Sequence, residues 1–383
     1  MMNTVSKLSL NNEKVLIRVD FNVPFNDLGK VTDDTRIRAV KPTIDYVLSK
    51  GGSCILMSHL GRPKGKDAQF SLSKIQEKVS EILEVPVIFA KDCIGTETQE
   101  MANSLQNGQV LLLENLRFYE EETQGDKDFA KQLSNLGSVY VNDAFGTAHR
   151  AHASTAVIAS FFENRKAFGK LLEQEVSAID KVMNTGKKPV LAILGGAKVS
   201  SKITIIENIL DKIDHLIIGG GMAYTFIKAQ GGSIGDSLCE DDYLQHTRNL
   251  LVLAAEKNVQ IHLPIDVVCT EEFDNNSKSQ IKPIDSIPEK WMGLDSGPDS
   301  INRFRDVILE SKTILWNGPV GVFEFPNFAK GTIALGEAIA ESTAKGAFSL
   351  VGGGDSVAAV KQFGFHNQVS YVSTGGGAML ELS

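Results

Sequence analysis

Cysteine is sparse in this 383-residue chain, and its four copies, Cys54, Cys93, Cys239 and Cys269, are scattered. They make no C-x-x-C pair and no metal-type spacing. That excludes a zinc ribbon or a disulfide-stapled scaffold and fits free thiols in a reducing compartment. Positive charge is also in deficit: 39 Lys and Arg against 47 Asp and Glu leave a net charge of −8. The balance argues against nucleic-acid or anionic-membrane partners, so any anionic ligand has to be held by a local cluster working against the global sign. No apolar run approaches the length of a membrane span, and the opening MMNTVSKLSLNNEK has no basic-then-apolar targeting pattern. A cytoplasmic location is expected. Two nucleotide fingerprints are missing as well. Neither G-x-G-x-x-G with a distant acid nor G-x-x-x-x-G-K-[ST] occurs, which disfavours a nicotinamide site and a P-loop.

What is present is alternation. Short apolar runs at Val15–Val19, Cys54–Met57, Val87–Phe89, Val110–Leu113 and Val139–Val141 read as buried parallel strands. Val190–Leu194, Leu216–Ile218, Ile261–Leu263, Ile314–Trp316 and Ser349–Val351 do the same in the second half. Helix-like stretches such as Leu72–Leu83, Phe129–Leu136, Tyr243–Lys257 and Ile301–Leu309 lie between them. The pattern predicts an α/β chain of doubly wound parallel sheets with ligands at the carboxyl ends of the strands. About ten strands exceed the usual sheet, so two sheets of similar size are expected. The divider is placed at Arg165–Met183, where Phe168, Leu171, Leu172, Glu175, Val176, Ile179 and Met183 recur at i, i+3, i+4 spacing and mark one largely apolar stripe of a helix.

Strand ends in the first half are polar. Asp20, Phe21 and Asn22 follow the first run; His59, Leu60, Gly61 and Arg62 follow the second; Arg117 and Arg150 follow later ones. Arg36 lies in a loop whose Asp34 or Thr35 is placed to cap a helix. Six of ten arginines fall before residue 151 in an acidic protein. Shared at one sheet edge, Arg36, His59, Arg62, Arg117, His149 and Arg150 would capture a small molecule with two or three negative charges. Taken singly, each arginine is better read as a surface partner of Asp20, Asp33, Asp143 or a neighbouring acid; five or six at successive strand ends are not. His149 and His152 are either ligand contacts or loop histidines.

The second half ends its strands in glycine. Gly195-Gly196-Ala197-Lys198 leads to Lys202, Gly219-Gly220-Gly221 repeats the turn, and Trp316–Glu324 carries one acid, Glu324, suited to ribose hydroxyls. Gly352-Gly353-Gly354-Asp355-Ser356 places N–H groups and a helix start toward an anion. A carboxylate there does not attract phosphate, so Asp355 reads as holding a divalent metal that bridges to it. Two rival readings are weaker. A dehydrogenase would show the dinucleotide fingerprint, and a non-catalytic sugar-phosphate sensor has no need of Lys198 and Lys202 beside a metal carboxylate.

Six motifs, in order along the chain, carry a resemblance: RVDFNVP (Arg18–Pro24), SHLGRP (Ser58–Pro63), DAFGTAHRAHAS (Asp143–Ser154), GGAKVSSKI (Gly195–Ile203), WNGPVGVFE (Trp316–Glu324) and GGGDS (Gly352–Ser356). Together they are similar to the phosphoglycerate kinase family. The resemblance implies reversible transfer of the acyl phosphate of 1,3-bisphosphoglycerate to MgADP, giving 3-phosphoglycerate and ATP in glycolysis. It implies a phosphoglycerate-binding domain over 1–165, an interdomain helix over 166–185 and a nucleotide-binding domain over 186–370. Residues 371–383 would pack back on the first domain, in a monomer. Asp20, Phe21, Asn22, Arg36, His59, Leu60, Gly61, Arg62, Arg117 and Arg150 would hold the phosphoglycerate. Lys202, Gly293, Glu324 and Gly352 through Ser356 would hold the nucleotide, with Asp355 on Mg²⁺. Arg36 and Lys198, with amides near Gly354 and Gly376, would stabilise the phosphoryl group in flight. The residues themselves agree on one absence: no general base and no nucleophilic Ser or Cys arrangement stands out. A carboxylate and a β-phosphate are already ionised at neutral pH, so positioning and charge neutralisation suffice.

Overall fold

Runs that are apolar at every position belong to sheets covered on both faces, and the central strands of both large sheets are buried throughout or nearly so. A computed structural model describes residues 3–148, 150–375 and 380. The chain divides into two compact units, Met1–Val176 and Ser177–Ser383.

In the first unit the strands are β1 (Asn3–Thr4), β2 (Lys14–Arg18), β3 (Ser53–Met57), β4 (Val87–Phe89), β5 (Val110–Leu112), β6 (Val139–Asn142) and β7 (Lys166–Phe168). They form one sheet in the order β1-β7-β6-β2-β3-β5-β4, with every pairing parallel. The helices are α1 (Thr35–Ser49), α2 (Gln76–Leu83), α3 (Thr96–Ser104), α4 (Glu120–Gln124) and α5 (Lys127–Ser134), followed by α6 (Lys170–Met183) at the boundary between units. Alternate residues of each strand serve opposite cores. Val15, Ile17, Cys54 and Leu56 pack with Ile37, Val40 and Ile44 of α1, while Leu16, Ile55, Met57 and Tyr140 pack with Phe129 and Leu133 of α5. The side-chain period of two on a pleated strand is what makes the sheet doubly wound.

The second unit carries β8 (Val190–Leu194), β9 (His215–Ile218), β10 (Ser233–Ile234), β11 (Gln260–His262), β12 (Asp266–Thr270), β13 (Ser279–Pro283), β14 (Ser286–Ile287), β15 (Met292–Ser296), β16 (Thr313–Asn317), β17 (Phe348–Val351) and β18 (Tyr371–Val372). Its six-stranded parallel sheet runs β11-β9-β8-β16-β17-β18. Its helices are α7 (Ile203–Ile209), α8 (Met222–Ala229), α9 (Leu244–Glu256), α10 (Pro298–Glu310), α11 (Lys330–Ala344) and α12 (Gly354–Gln362). An antiparallel sheet, β13-β12-β15, and the short β10-β14 pair are additions to the doubly wound plan.

Three expectations need correction. The divider is not one helix: Lys166–Phe168 is a strand paired with β6, and Gly169 separates it from α6. Neither Asp34 nor Thr35 caps α1 by side chain; the Asp33 carboxylate accepts the Thr35 N–H at 2.9 Å, and Asp34 pairs with Arg38 at 3.0 Å. In the final segment, Tyr371–Val372 extend the second sheet beside β17 rather than joining the first unit, and 376–379 and 381–383 lie outside the described residues. Among the described residues, no helix is long and apolar enough to cross a membrane.

Candidate active site

Three loops of the first unit, after β2, β3 and β5, leave the sheet at the carboxyl ends of its strands, and polar side chains lock them together. Asn22 Oδ1 accepts the Gly61 N–H at 2.9 Å, and Ser58 Oγ accepts the Phe21 N–H at 2.8 Å. Asn115 is fully buried after β5 and clamps the loop after β3: its Oδ1 accepts the Leu60 N–H at 3.2 Å and its Nδ2 donates to the Leu60 carbonyl at 2.8 Å. Phe21 and Leu60 are buried and their backbone groups are already bonded within these loops, so they shape the frame rather than reach a ligand.

Cations gather above this frame. Arg36, in the first turn of α1, donates through Nη1 to the Asn22 carbonyl at 2.7 Å and to Asp20 Oδ1 at 3.3 Å. Arg117 donates to the Gly61 carbonyl at 3.1 Å, while its buried Nε has no partner among the described residues. Burial makes the Arg117 guanidinium harder to charge than usual, and the fields of Arg18, Arg150 and Arg62 add to that. Among the described residues, no ion pair holds Arg62 or Arg150. Burial also holds the His59 imidazole well below its ordinary range, with Arg18, Arg117, Arg36 and His152 reinforcing the shift. Crowded cations of this kind make their own charging costly and favour a bound polyanion. His149 lies outside the described residues.

Asp143 is not a surface partner of any arginine. It is fully buried where β6 ends, and Oδ1 accepts the Leu172 N–H of α6 at 3.0 Å. Burial pushes its carboxyl up to about 6, against hydrogen bonds from Thr43 and the Leu172 and Leu171 amides. A raised carboxyl contributes fully below its unfolded value near 3.9 and loses that contribution as pH rises through about 6. Asp143→Asn is therefore expected to stabilise the fold at pH 8, on the order of 2 kcal/mol, and to leave it nearly unchanged at pH 4. Urea titrations at the two pH values check this; equal shifts at both would remove the carboxylate as the cause.

In the second unit the carboxyl ends of β8, β9 and β16 meet almost backbone to backbone. A Cβ at Gly195 would run into the carbonyl oxygens of Pro319 and Gly318. Gly353 has φ +93°, a conformation that L side chains seldom adopt, and it hands the chain into α12. Gly195→Ala is expected to cost about 1–3 kcal/mol by overpacking and to weaken nucleotide binding. An unchanged urea midpoint would show that the two loops separate freely.

Two adjoining cavities open on these turns. The narrow one, about 290 Å³, is lined by Lys198, Lys202, Asn317, Gly353, Gly354, Asp355 and Ser356 with the loop after β8. The wide one, about 760 Å³, is lined by Gly293, Glu324 and Tyr224 among apolar walls that include Leu238 and Phe325. Asp355 lines both. Lys202 Nζ hydrogen-bonds Asn317 Oδ1, and Asn317 Nδ2 donates to the Gly352 carbonyl at 2.9 Å. Burial lowers the Lys202 pKa, with Asp355 opposing it. Ser356 is fully buried, and its Oγ accepts the Gly318 N–H at 2.5 Å. Gly352 lines neither cavity, and Gly376 lies outside the described residues. Sequence reasoning passed over Asn115 and Asn317, which carry no charge; their signal was a polar residue ending an apolar run.

Among the described residues, no group of three or more His, Cys, Asp or Glu is placed to hold a metal ion. A lone carboxylate beside a phosphate-sized cavity still suits Mg²⁺, which takes one or two carboxylates and completes its shell from substrate phosphates and water.

Comparison with known proteins agrees across the whole length. The sequence model of the phosphoglycerate kinase family matches residues 5–383. A phosphoglycerate kinase of Porphyromonas gingivalis is 53% identical over 402 residues, covering 99% of this chain and 96% of that protein. A cytosolic phosphoglycerate kinase of Triticum aestivum is 50% identical, covering 100% and 95%. Among solved structures, phosphoglycerate kinase from Coxiella burnetii gives a TM-score of 0.89 at 41% identity, covering 100% of this chain and 96% of that one.

Proposed function

The chain belongs to the phosphoglycerate kinase family, glycolytic phosphotransferases with a carboxyl group as acceptor, and on that premise we propose that residues 1–165 hold the phosphoglycerate and 186–370 the nucleotide. Residues 166–185 join the two. Asp20, Asn22, Arg36, His59, Arg62, Arg117 and Arg150, on loops that Phe21, Leu60 and Gly61 hold in shape, bind 3-phosphoglycerate or 1,3-bisphosphoglycerate. The nucleoside of ADP or ATP lies in the wide cavity against Gly293 and Glu324. Its phosphates reach into the narrow cavity beside Lys202, Gly353, Gly354 and Ser356. Asp355, together with the phosphates, would hold Mg²⁺, which would neutralise phosphate charge there.

The acyl phosphate passes directly and in line to the β-phosphate of ADP when the two units close. Arg36 and Lys198 hold the charge of the moving phosphoryl group, and neither nucleophile needs a base. The protein works in the cytosol as a monomer. The observation carrying this reading is Asp355 lining both cavities, since one ligand then spans from an apolar chamber to a lysine-lined one. A coupled assay with 3-phosphoglycerate, ATP and Mg²⁺, omitting each in turn, tests it. Turnover is expected only with all three, and turnover without Mg²⁺ or with a different acid would overturn it.

A further inference from the structure

Arg18 has no role in the division just described, yet it is the most heavily bonded cation of the first unit. It is fully buried at the end of β2. Its Nε donates to Ser154 Oγ at 2.8 Å, its Nη1 donates to the Val19 carbonyl, and its Nη2 lies 3.0 Å from His59 Nδ1. Glu122 of α4, equally buried, lies 3.9 Å from Nη2 and accepts the Ser154 N–H at 2.8 Å and the Ser154 hydroxyl at 2.5 Å. Guanidinium and carboxylate cancel, so the pair lies in the interior without net charge.

A guanidinium has donors and no acceptor. The contact with His59 therefore runs one way: Nδ1 accepts, and the ring's single proton sits on Nε2. The groups facing the ring are Arg18 from β2, Arg36 from α1, Arg117 from the turn after β5, and His152. Glu122 reaches it only through Arg18. Nε2 has no protein partner among the described residues and is not one of the fully buried unpartnered atoms, which leaves it to a ligand. We propose that Arg18, held in place by Glu122 and Ser154, is a positioning residue that fixes His59 as an Nε2-protonated imidazole donating one hydrogen bond to the anionic ligand. This rests on the reading that the arginine-rich edge holds phosphoglycerate. Charge recognition then falls to Arg36, Arg62, Arg117 and Arg150, and His59 contributes direction.

Two-dimensional ¹H–¹⁵N spectra of the full chain labelled at histidine test it. The wild type is expected to show His59 with its proton on Nε2, unchanged from pH 6 to 8, and a signal that moves when 3-phosphoglycerate is added. Arg18→Met would strand Glu122 as an unpaired buried charge and risk unfolding. The double variant Arg18→Met/Glu122→Gln removes both charges and keeps the volume. In it, His59 is expected to stay neutral, because burial is the main cause of its low pKa, and to mix tautomers. The KM for 3-phosphoglycerate should then rise about twofold over the wild type at each pH from 6 to 8, the population cost of an unfixed tautomer. The wild-type comparison corrects for the ligand's own titration, and the KM for MgATP should stay level. Arg18→Lys, which keeps a donor, should retain the wild-type tautomer. A wild-type proton on Nδ1, or a double variant that keeps the proton on Nε2 alone, would overturn the proposal. A proton on Nε2 with no response to 3-phosphoglycerate would support the positioning while counting against the ligand reading.

Discussion

Arg36→Ala and Lys198→Ala are each expected to lose about 10²-fold or more in kcat, the scale of removing one preorganised donor to developing charge, while far-UV circular dichroism stays the same. The retained fold follows from exposure. The Arg36 side chain is 39% exposed and its pairing with Asp20, at 3.3 Å, has solvent access, so its loss costs on the order of 0–1 kcal/mol. Lys198 is exposed at the mouth of the narrow cavity. The two positions belong to different units. If both act on the same phosphoryl group, the double variant should lose less than the product of the single effects, because groups working as a unit are not additive. A kcat near wild type in either single variant removes that residue from the transfer step.

Asp355→Ala should weaken MgADP binding by at least about 10–100-fold, since even outer-shell partners of a bound metal are worth that much. Binding of 3-phosphoglycerate should change less than about twofold, because none of the residues assigned to it lines the cavities that Asp355 shares. Calorimetry with each ligand separates the two. The sign without metal is the sharper check. In the presence of a chelator the carboxylate only repels phosphate, so the variant should bind ADP as well as the wild type or slightly better. Weaker binding by the variant in chelator would mean that Asp355 shapes the cavity rather than holding a cation.

All ten strands legible as apolar runs exist; most are buried on both faces, where such a run reveals itself without partner information. The charged residues ending those runs were legible too, whereas uncharged Asn115 and Asn317 were not. Strand β13 was not: Ser279–Pro283 is mostly exposed and ends in proline, so its membership rests on pairing with β12 alone. Lys166–Phe168 read as the start of a helix because Phe168 continued the stripe of α6, and only pairing with β6 decides otherwise. Asp143 and Arg18 show a different limit. A charged residue at a strand end looks available to a ligand, and its burial comes from α6, α4 and the turn at Ser154 closing over it. Those contacts join segments distant in sequence and leave no local pattern.

The loops at Gly195, Gly220 and Pro319 touch through main chain, with no side chain between them. A new side chain at Gly195 or Gly220 therefore collides with main chain before it can discriminate between nucleotides. The substitutable surface is the wide chamber, where Leu238, Phe273, Met292, Val322 and Phe325 form the walls. Exchanging adenine for a larger or smaller base should be attainable from those five positions with the transfer chemistry left intact.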